Sequence, residues 1–519
     1  MSIVAGVDSS TQSTKVEIRD LDTGKLIGSG KAPHTPTTPP LSEQDPYEWW
    51  NAFNIALAEA LSTASTSSRH TISLNDIASI SIAGQQHGLV VLDSAGEVIR
   101  PAKLWNDTQS APDALRLRSM LDSGDSGWAE ACGSVPVAAL TITKLSWLKR
   151  VEPESFARIA TILLPHDWLN YRLTGRFCTD RGDASGTGYW SPHEGIWRPD
   201  LLSLVDPDID WNSMLPEVLA PDEPAGEWQG VVVCPGTGDN MASALGIGLA
   251  LGDIAISLGT SGTVFTVSEI PACDPSGYVS GFADASGRFL PLVCTLNATK
   301  VTDTVGKWVS MGYETLSDVV LREPLGAGGL IAIPYFDGER TPNRPLARGA
   351  FIGLSSNTSA SRLARAAFEG VVCSLLDARD HLLTPKASFE KGANSGEVAQ
   401  DEEGKSELSK DRTGKSERNK ESLFLVGGGS RSHAYQQIFA DLAGEEIIVS
   451  TNQETVATGA CVQAASIASS VHTDQIIEAW GLRQGKRIMP SEGISKESVQ
   501  QLRRNYSRIA ASAVWDMQR

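Results

Sequence analysis

Three loops of this chain combine glycines and hydroxyls in the way that holding a phosphate requires. The first is Gly6-Val7-Asp8-Ser9-Ser10-Thr11-Gln12-Ser13-Thr14-Lys15, where hydroxyls and Gln12 supply donors and Gly6 would permit close approach. The second is Ser257-Leu258-Gly259-Thr260-Ser261-Gly262-Thr263. The third is Val426-Gly427-Gly428-Gly429-Ser430, followed closely by Ser432. Main-chain amides of tight turns bind anions, and neighbouring hydroxyls add to them. Neither GxxxxGK[ST] nor GxGxxG occurs in the sequence, so the two commonest glycine-loop solutions are unavailable. Asp8 closes an apolar run and is placed to orient a hydrated magnesium ion. Each loop alone is ordinary turn chemistry. Three of them at strand ends suggest a nucleotide clamped in a cleft.

A carboxylate stands in a fourth position of interest. Gly236-Thr237-Gly238-Asp239-Asn240-Met241-Ala242-Ser243 places an acid after a glycine turn and before a helix. By itself such an acid reads as a helix cap. Transfer of a phosphoryl group to a hydroxyl, however, needs a carboxylate that takes the hydroxyl proton, and Asp239 has the right residue type. His87 and Asp107 are most simply a satisfied core histidine and a loop acid. In a polar pocket they would instead exchange hydrogen bonds with a neutral ligand. Trp105 could offer that ligand an apolar face, and Trp308 could flank a flat base.

These residues need elements to hold them. Ile3 to Val7 and Lys15 to Arg19 read as two strands around the first loop, and a turn at Asp22-Thr23-Gly24 leads to a third. Ile254 to Leu258 and Thr263 to Val267 repeat the arrangement around the second loop, which suggests a duplicated domain. Helical and strand-like segments alternate elsewhere, as α/β architecture requires. From 385 to 422 the chain is charged and almost without large apolar residues, so a flexible surface insertion is expected there. Met241 to Leu258 is apolar enough to suggest a membrane span, but its glycines and Asp253 favour helix, turn and buried strand.

Length and composition bound the rest. The 519 residues suggest two to four structural units, and 41% hydrophobic against 20% charged residues is ordinary soluble usage. A net charge of −18 repels phosphate backbones and anionic lipid, so neither nucleic acid nor a membrane is an expected partner. The 7 cysteines are scattered without a CxxC, which indicates neither a disulfide framework nor a zinc knuckle. No basic, apolar leader opens the chain, and a cytoplasmic location is expected.

With these residues in view, the chain resembles the FGGY-type carbohydrate kinases over nearly its whole length. Thr141-Ile142-Thr143-Lys144-Leu145-Ser146-Trp147-Leu148 is similar to the first family signature. Gly349 to Leu354 followed by Ala364 to Gly370 is similar to the second, with Arg362 as a departure. Within the family the likeness is greatest to the xylulokinases, through Ala83-Gly84-Gln85-Gln86-His87-Gly88, Leu104-Trp105-Asn106-Asp107-Thr108-Gln109, Pro165 to Gly175 and Asp183 to Thr187. Gln86 and Gln109 depart from the usual methionine and arginine there.

The resemblance implies an α/β fold of two ribonuclease-H/actin-like ATPase domains with a deep interdomain cleft. Residues 1–246 would carry the sugar site and first phosphate loop, and 247–519 the second loop and the adenosine site. It implies ATP and Mg2+, with phosphorylation of D-xylulose as the reaction. Asp239 would be the base and Asp8 the metal residue. Gln86, His87, Trp105, Asp107, Asp239 and Asn240 would bind the sugar. Thr11, Gln12, Ser13, Gly259, Thr260, Ser261, Trp308, Gly428, Gly429 and Ser432 would bind the nucleotide. A kinase for ribulose, gluconate or glycerol, or an actin- or chaperone-like ATPase, would share the phosphate loops, and a homodimer is left open.

Overall fold

The computed structural model describes residues 2–68, 70–384 and 421–516. The expected insertion at 385–422, apart from its last two residues, lies outside the described residues. Two seven-stranded sheets organise the rest. The first contains β1 (Ile3–Ser9), β2 (Ser13–Asp20), β3 (Leu26–Pro33), β4 (Ile77–Gly84), β5 (Gly226–Trp228), β6 (Val231–Val233) and β7 (Thr237–Gly238). Its order is β3-β2-β1-β4-β6-β5, with β7 also pairing β4. Every residue of β1 is buried, as befits a central strand covered on both faces. Helix α1 (Pro46–Ser68) covers one face through Trp49, Phe53 and a run of alanines. Helices α2 (Thr141–Val151), α3 (Pro165–Thr174) and α4 (Asp239–Ile247) carry residues of the site.

The second sheet contains β8 (Ile254–Leu258), β9 (Gly262–Thr266), β10 (Ser280–Ala283), β11 (Phe289–Thr295), β12 (Leu423–Val426), β13 (Ile447–Ser450) and β14 (Gly485–Ile488). Its order is β10-β11-β9-β8-β12-β13-β14. Around β1 and around β8 the pattern is the same. Each pairs antiparallel with the next strand of a meander and parallel with a later strand, β4 or β12. The repeat expected from the two hairpins is therefore a repeat of topology. The apolar stretch at 241–258 is α4, a glycine turn and β8, and no helix among the described residues is long and apolar enough to cross a membrane.

Helices α5 (Thr299–Trp308), α6 (Ala360–Leu383) and α7 (His433–Ala443) pack on the second sheet, with Phe368, Tyr435 and Phe439 in its core. Helix α8 (Thr455–Ser469) differs: although it follows β13, it lies on β1 and β4 of the first sheet and against α4. Small residues make that crossing possible. A Cβ on Gly459 would collide with the Ala242 carbonyl of α4, and one on Gly246 with the Thr455 carbonyl of α8. A Cβ on Gly6 would likewise collide with Ala457 of α8. Gly6 thus admits a helix rather than the phosphate expected of it.

Candidate functional site

Parallel pairing sets the position of each functional loop. Asp8 and Ser9 at the end of β1 lie beside Ala83 and Gly84 of β4. Gly238 of β7 lies on the other side of Gly84. The segments that follow, 10–13, 85–87 and 239–240, therefore emerge at one edge of the first sheet. Open α/β sheets bind ligands at this carboxyl edge. In the second sheet Ser257 lies beside Val426, so Gly259 to Ser261 and Gly427 to Ser430 also emerge together. A Cβ on Gly427 would come within 2.8 Å of the Leu258 carbonyl, and Gly429 packs against Leu258 and Thr299. The second and third loops form one surface, on which Gly428 faces open space.

A cavity of 210 Å³ joins the two edges. Gln86, His87, Trp105, Asp239 and Asn240 line it from the first sheet, and Ser257, Gly259, Ser261 and Thr263 from the second. Asp239 is the first residue of α4, half-buried, and its carboxylate accepts Asn240 Nδ2 at 2.9 Å. Burial pushes its pKa up to about 7, and the charges of Asp8 and Asp183 add to that effect. A carboxylate so perturbed accepts a proton near neutral pH. Asn240 also donates to Gln86 Oε1 at 2.7 Å, while Gln86 Nε2 is buried without a partner. His87 packs on Phe282 at 5.4 Å between ring centroids. Burial, with the charges of Arg340 and Lys144, holds its pKa well below the ordinary value, so the ring is neutral. A neutral imidazole and two amides suit an uncharged polyhydroxy ligand.

Asp8 is buried, with Lys15 Nζ 3.4 Å from its Oδ2, a contact that follows from their cross-strand pairing. Lys15 reaches on to Glu454, just before α8. Burial raises the Asp8 pKa against the pull of Lys15, and its Oδ1 has no hydrogen-bond partner. That orphan oxygen can accept a hydrogen bond from a water bound to magnesium. Among the described residues no group of three or more His, Cys, Asp or Glu could cage a metal. The arrangement suits magnesium, which takes few protein ligands and shares the rest with phosphate and water. Thr11 lies at the loop tip, accepting Trp105 Nε1 and donating to Gln85 Oε1, each at 3.0 Å. Gln12 is exposed and Ser13 is buried, its carbonyl closing the turn onto Ser10 N.

Behind Asp239 lies a buried charge cluster on α3 and the following segment. His166 Nδ1 is 2.8 Å from Asp183 Oδ2, and Nε2 is 3.1 Å from Asp167 Oδ1. Burial opposes the imidazolium, but Asp167, Asp183 and Asp180 push its pKa up to about 10. Asp180 accepts from Thr237 Oγ1 at 2.8 Å and so pins the strand that presents Asp239.

Three expected site residues stand apart from the cavity. Asp107 has no exposed surface and accepts Ser42 N, Gln109 N and Lys103 Nζ at 2.9, 3.0 and 3.1 Å. Ser432 caps α7 at Tyr435 N and lies 3.3 Å from Ser317 Oγ. Trp308, 63% exposed, stacks on Phe336 at the opposite end of α5 from the Thr299–Gly429 contact. Thr260 is exposed beside the cavity, its carbonyl held by Ala298 N at 3.1 Å. Phe282, Leu292, Cys294 and Arg340 complete the lining. Sequence reasoning missed all four, because nothing local marks them. A larger cleft of 640 Å³ lies beneath α9 (Lys496–Ala510), but its Glu369 is already engaged by Gly326 N and Arg365.

The geometry thus sets a carboxylate of raised pKa between the polar side chains of Gln86, His87 and Asn240 and the glycine- and hydroxyl-rich surface of the second loop. Family models for the N-terminal and C-terminal domains of the FGGY family of carbohydrate kinases match residues 3–246 and 254–468. The chain belongs to the FGGY family of carbohydrate kinases. A xylulose kinase of Streptomyces coelicolor is 40% identical over 495 residues, covering 93% of this chain and 92% of that protein. One from Escherichia coli is 32% identical, covering 85% of each. The crystal structure of a xylulose kinase from Bifidobacterium adolescentis superposes with a TM-score of 0.78 at 34% identity, covering 98% of this chain and 99% of that one. As an FGGY carbohydrate kinase the protein is an ATP-dependent sugar kinase with the two-domain actin-like ATPase fold.

Proposed function

We propose that this FGGY kinase phosphorylates D-xylulose to D-xylulose 5-phosphate, with Asp239 as the general base. The observation that carries the reading is Asp239 itself. Its pKa is pushed up to about 7 in a cavity shared by Gln86, His87 and Trp105 on one side and Gly259 and Ser261 on the other. Two Streptomyces xylulose kinases match 93% of this chain at 40% identity, which supports the sugar.

In this reading residues 1–246 hold the sugar and the first phosphate loop, and residues 247–519 hold the second loop and the adenosine. His87 and Gln86 exchange hydrogen bonds with sugar hydroxyls, Asn240 keeps Asp239 oriented, and Trp105 gives the carbon face a wall. Amides of Thr11, Gln12, Ser13, Gly259, Thr260, Ser261, Gly428 and Gly429 face the phosphates. Asp8 would hold magnesium through water at its free Oδ1. When bound, that ion neutralises charge on the β- and γ-phosphates. Asp239 takes the hydroxyl proton as the oxygen attacks, and closure of the two domains on the substrates would keep water from competing.

A coupled ADP-release assay over pentuloses, pentoses, gluconate and glycerol tests the substrate. D-Xylulose should give the highest kcat/KM. A clear preference for gluconate or glycerol refutes the assignment.

A further inference from the structure

Among the described residues, the one full positive charge lining the cavity belongs to a residue with no role so far. Arg340 reaches it from the segment 334–345 of the C-terminal domain. No carboxylate forms an ion pair with its guanidinium among the described residues. The groups that feel its charge are His87 and Lys144 across the cavity and the Cys294 thiol beside it. Arg340 is half-buried, and a cation partly withdrawn from water is ordinarily paired, because desolvation is costly. A neutral sugar would not offset that cost, and the pocket already offers it neutral donors.

The backbone under Arg340 is tied to the phosphate loop. Glu339, 1% exposed, accepts Arg340 N at 2.8 Å and Leu296 N at 2.6 Å on Oε1, and Asn297 Nδ2 at 2.8 Å on Oε2. Asn297 Nδ2 also donates to the Gly338 carbonyl. The next residues, Ala298 and Thr299, donate their amides to Thr260 and Gly259 at 3.1 and 3.0 Å. Gly338, at φ +75°, lets the turn close on Pro345 where a side chain would collide. Arg340 and the second phosphate loop are therefore parts of one braced unit.

We propose that Arg340 binds the phosphoryl group during its transfer, contacting the γ-phosphate of ATP and then the same phosphate on the sugar. This rests on the sugar-kinase reading of the cavity. The bond from Pγ to the β,γ-bridging oxygen breaks, its electron pair leaving with ADP. The bond from Pγ to the sugar oxygen forms, and that hydroxyl's proton passes to Asp239. Arg340 forms no covalent bond; it stabilises the charge spread over the equatorial oxygens.

The test compares Arg340→Gln and Arg340→Lys with wild type on the best acceptor of the sugar panel, so it does not depend on that acceptor being D-xylulose. Steady-state kinetics and calorimetric titration with the sugar alone and with its phosphate are measured. Arg340→Gln should lower kcat by about 10²–10³-fold, leave the Kd of the free sugar within about 3-fold and weaken sugar phosphate at least 10-fold. Arg340→Lys should recover part of kcat. Arg340→Ala supplemented with free guanidinium should also recover part of it, which a merely structural role would not allow. A kcat within about 3-fold of wild type in Arg340→Gln, or equal weakening of sugar and sugar phosphate, overturns the proposal. Should Arg340→Gln fail to fold, the Lys variant decides: kcat and sugar-phosphate affinity both equal to wild type would refute a bidentate phosphate contact. A panel on which wild type turns over no sugar refutes the kinase reading instead.

Discussion

Asp239→Asn separates a catalytic carboxylate from a helix-capping one by the sign of its effect on stability. The amide is nearly isosteric, and its oxygen can still accept Asn240 Nδ2, so the link to Gln86 survives. Loss of the base should lower kcat by about 10²–10⁴-fold with the sugar KM little changed. The stability arithmetic starts from a pKa moved from 3.8 to about 7 by burial and by Asp8 and Asp183. Three units at ~1.36 kcal/mol each give a ceiling near 4 kcal/mol for the cost of the folded carboxylate. Cavity water screens a half-buried group, so a gain of about 1–2 kcal/mol on neutralisation is the expected size. Because the folded pKa lies above the unfolded one, that cost is absent below about pH 4, grows between 4 and 7, and is complete above 7. Asp239→Asn should therefore match wild type in thermal unfolding at acid pH and exceed it at pH ~8. A simple first-turn acid would behave oppositely, and its removal would cost about 0.3–1 kcal/mol. Retained kcat in the coupled assay, or a variant less stable than wild type at alkaline pH, refutes the assignment.

Three further outcomes are expected. Asp8→Asn removes one of the charges that raise Asp239, so the acid limb of kcat/KM should move to lower pH while the magnesium requirement rises; an unmoved limb counts against the coupling. Gly428→Ala adds a methyl where nothing stands within 4 Å, so the unfolding temperature should hold while the KM for ATP rises several-fold in initial-rate measurements; an unchanged KM removes Gly428 from the nucleotide site. Asp107→Asn weakens the partner of the buried Lys103, and denaturant unfolding should show a loss of about 1.5–3 kcal/mol with sugar KM within about 2-fold; a selective rise in KM would return Asp107 to the sugar pocket.

What the sequence disclosed followed from local physics. Buried strands, hydroxyl turns and glycine turns carry their own signals, and β1, β2, β8 and β9 stand within a residue or two of where those signals put them. The local signal at Asp239, an acid after a glycine turn and before a helix, reads only as a cap; the needs of phosphoryl transfer and the family resemblance single it out, and the structure places it on the cavity. Less legible was anything decided by packing between distant segments. Gly6 looks like a phosphate contact until α8, some 450 residues later, is seen to rest on it. Asp107 looks like a ligand until Lys103 and Ser42 are found on its Oδ2 and Gln109 N on its Oδ1. Arg340 lies in Gly-Glu-Arg-Thr-Pro, a turn-like stretch with no periodicity, and only the bracing of Glu339 against Leu296 and Asn297 turns it toward the cavity.

The charge distribution explains why the site needs two kinds of phosphate contact. The chain carries a net charge of −18, and Asp8, Asp183 and Asp239 gather close enough for the first two to raise the pKa of the third. Those carboxylates create a proton acceptor and at the same time repel the anion whose transfer they serve. Loop amides oppose that repulsion with partial charges that need no counterion, which leaves the base basic. A full charge is useful only where the moving phosphoryl group passes. Lys15 is occupied by Asp8 and Glu454, and Lys144 by the carbonyls of Ala138, Ala139 and Leu140. Among the described cations around the cavity, that leaves Arg340, which lines it from the C-terminal domain.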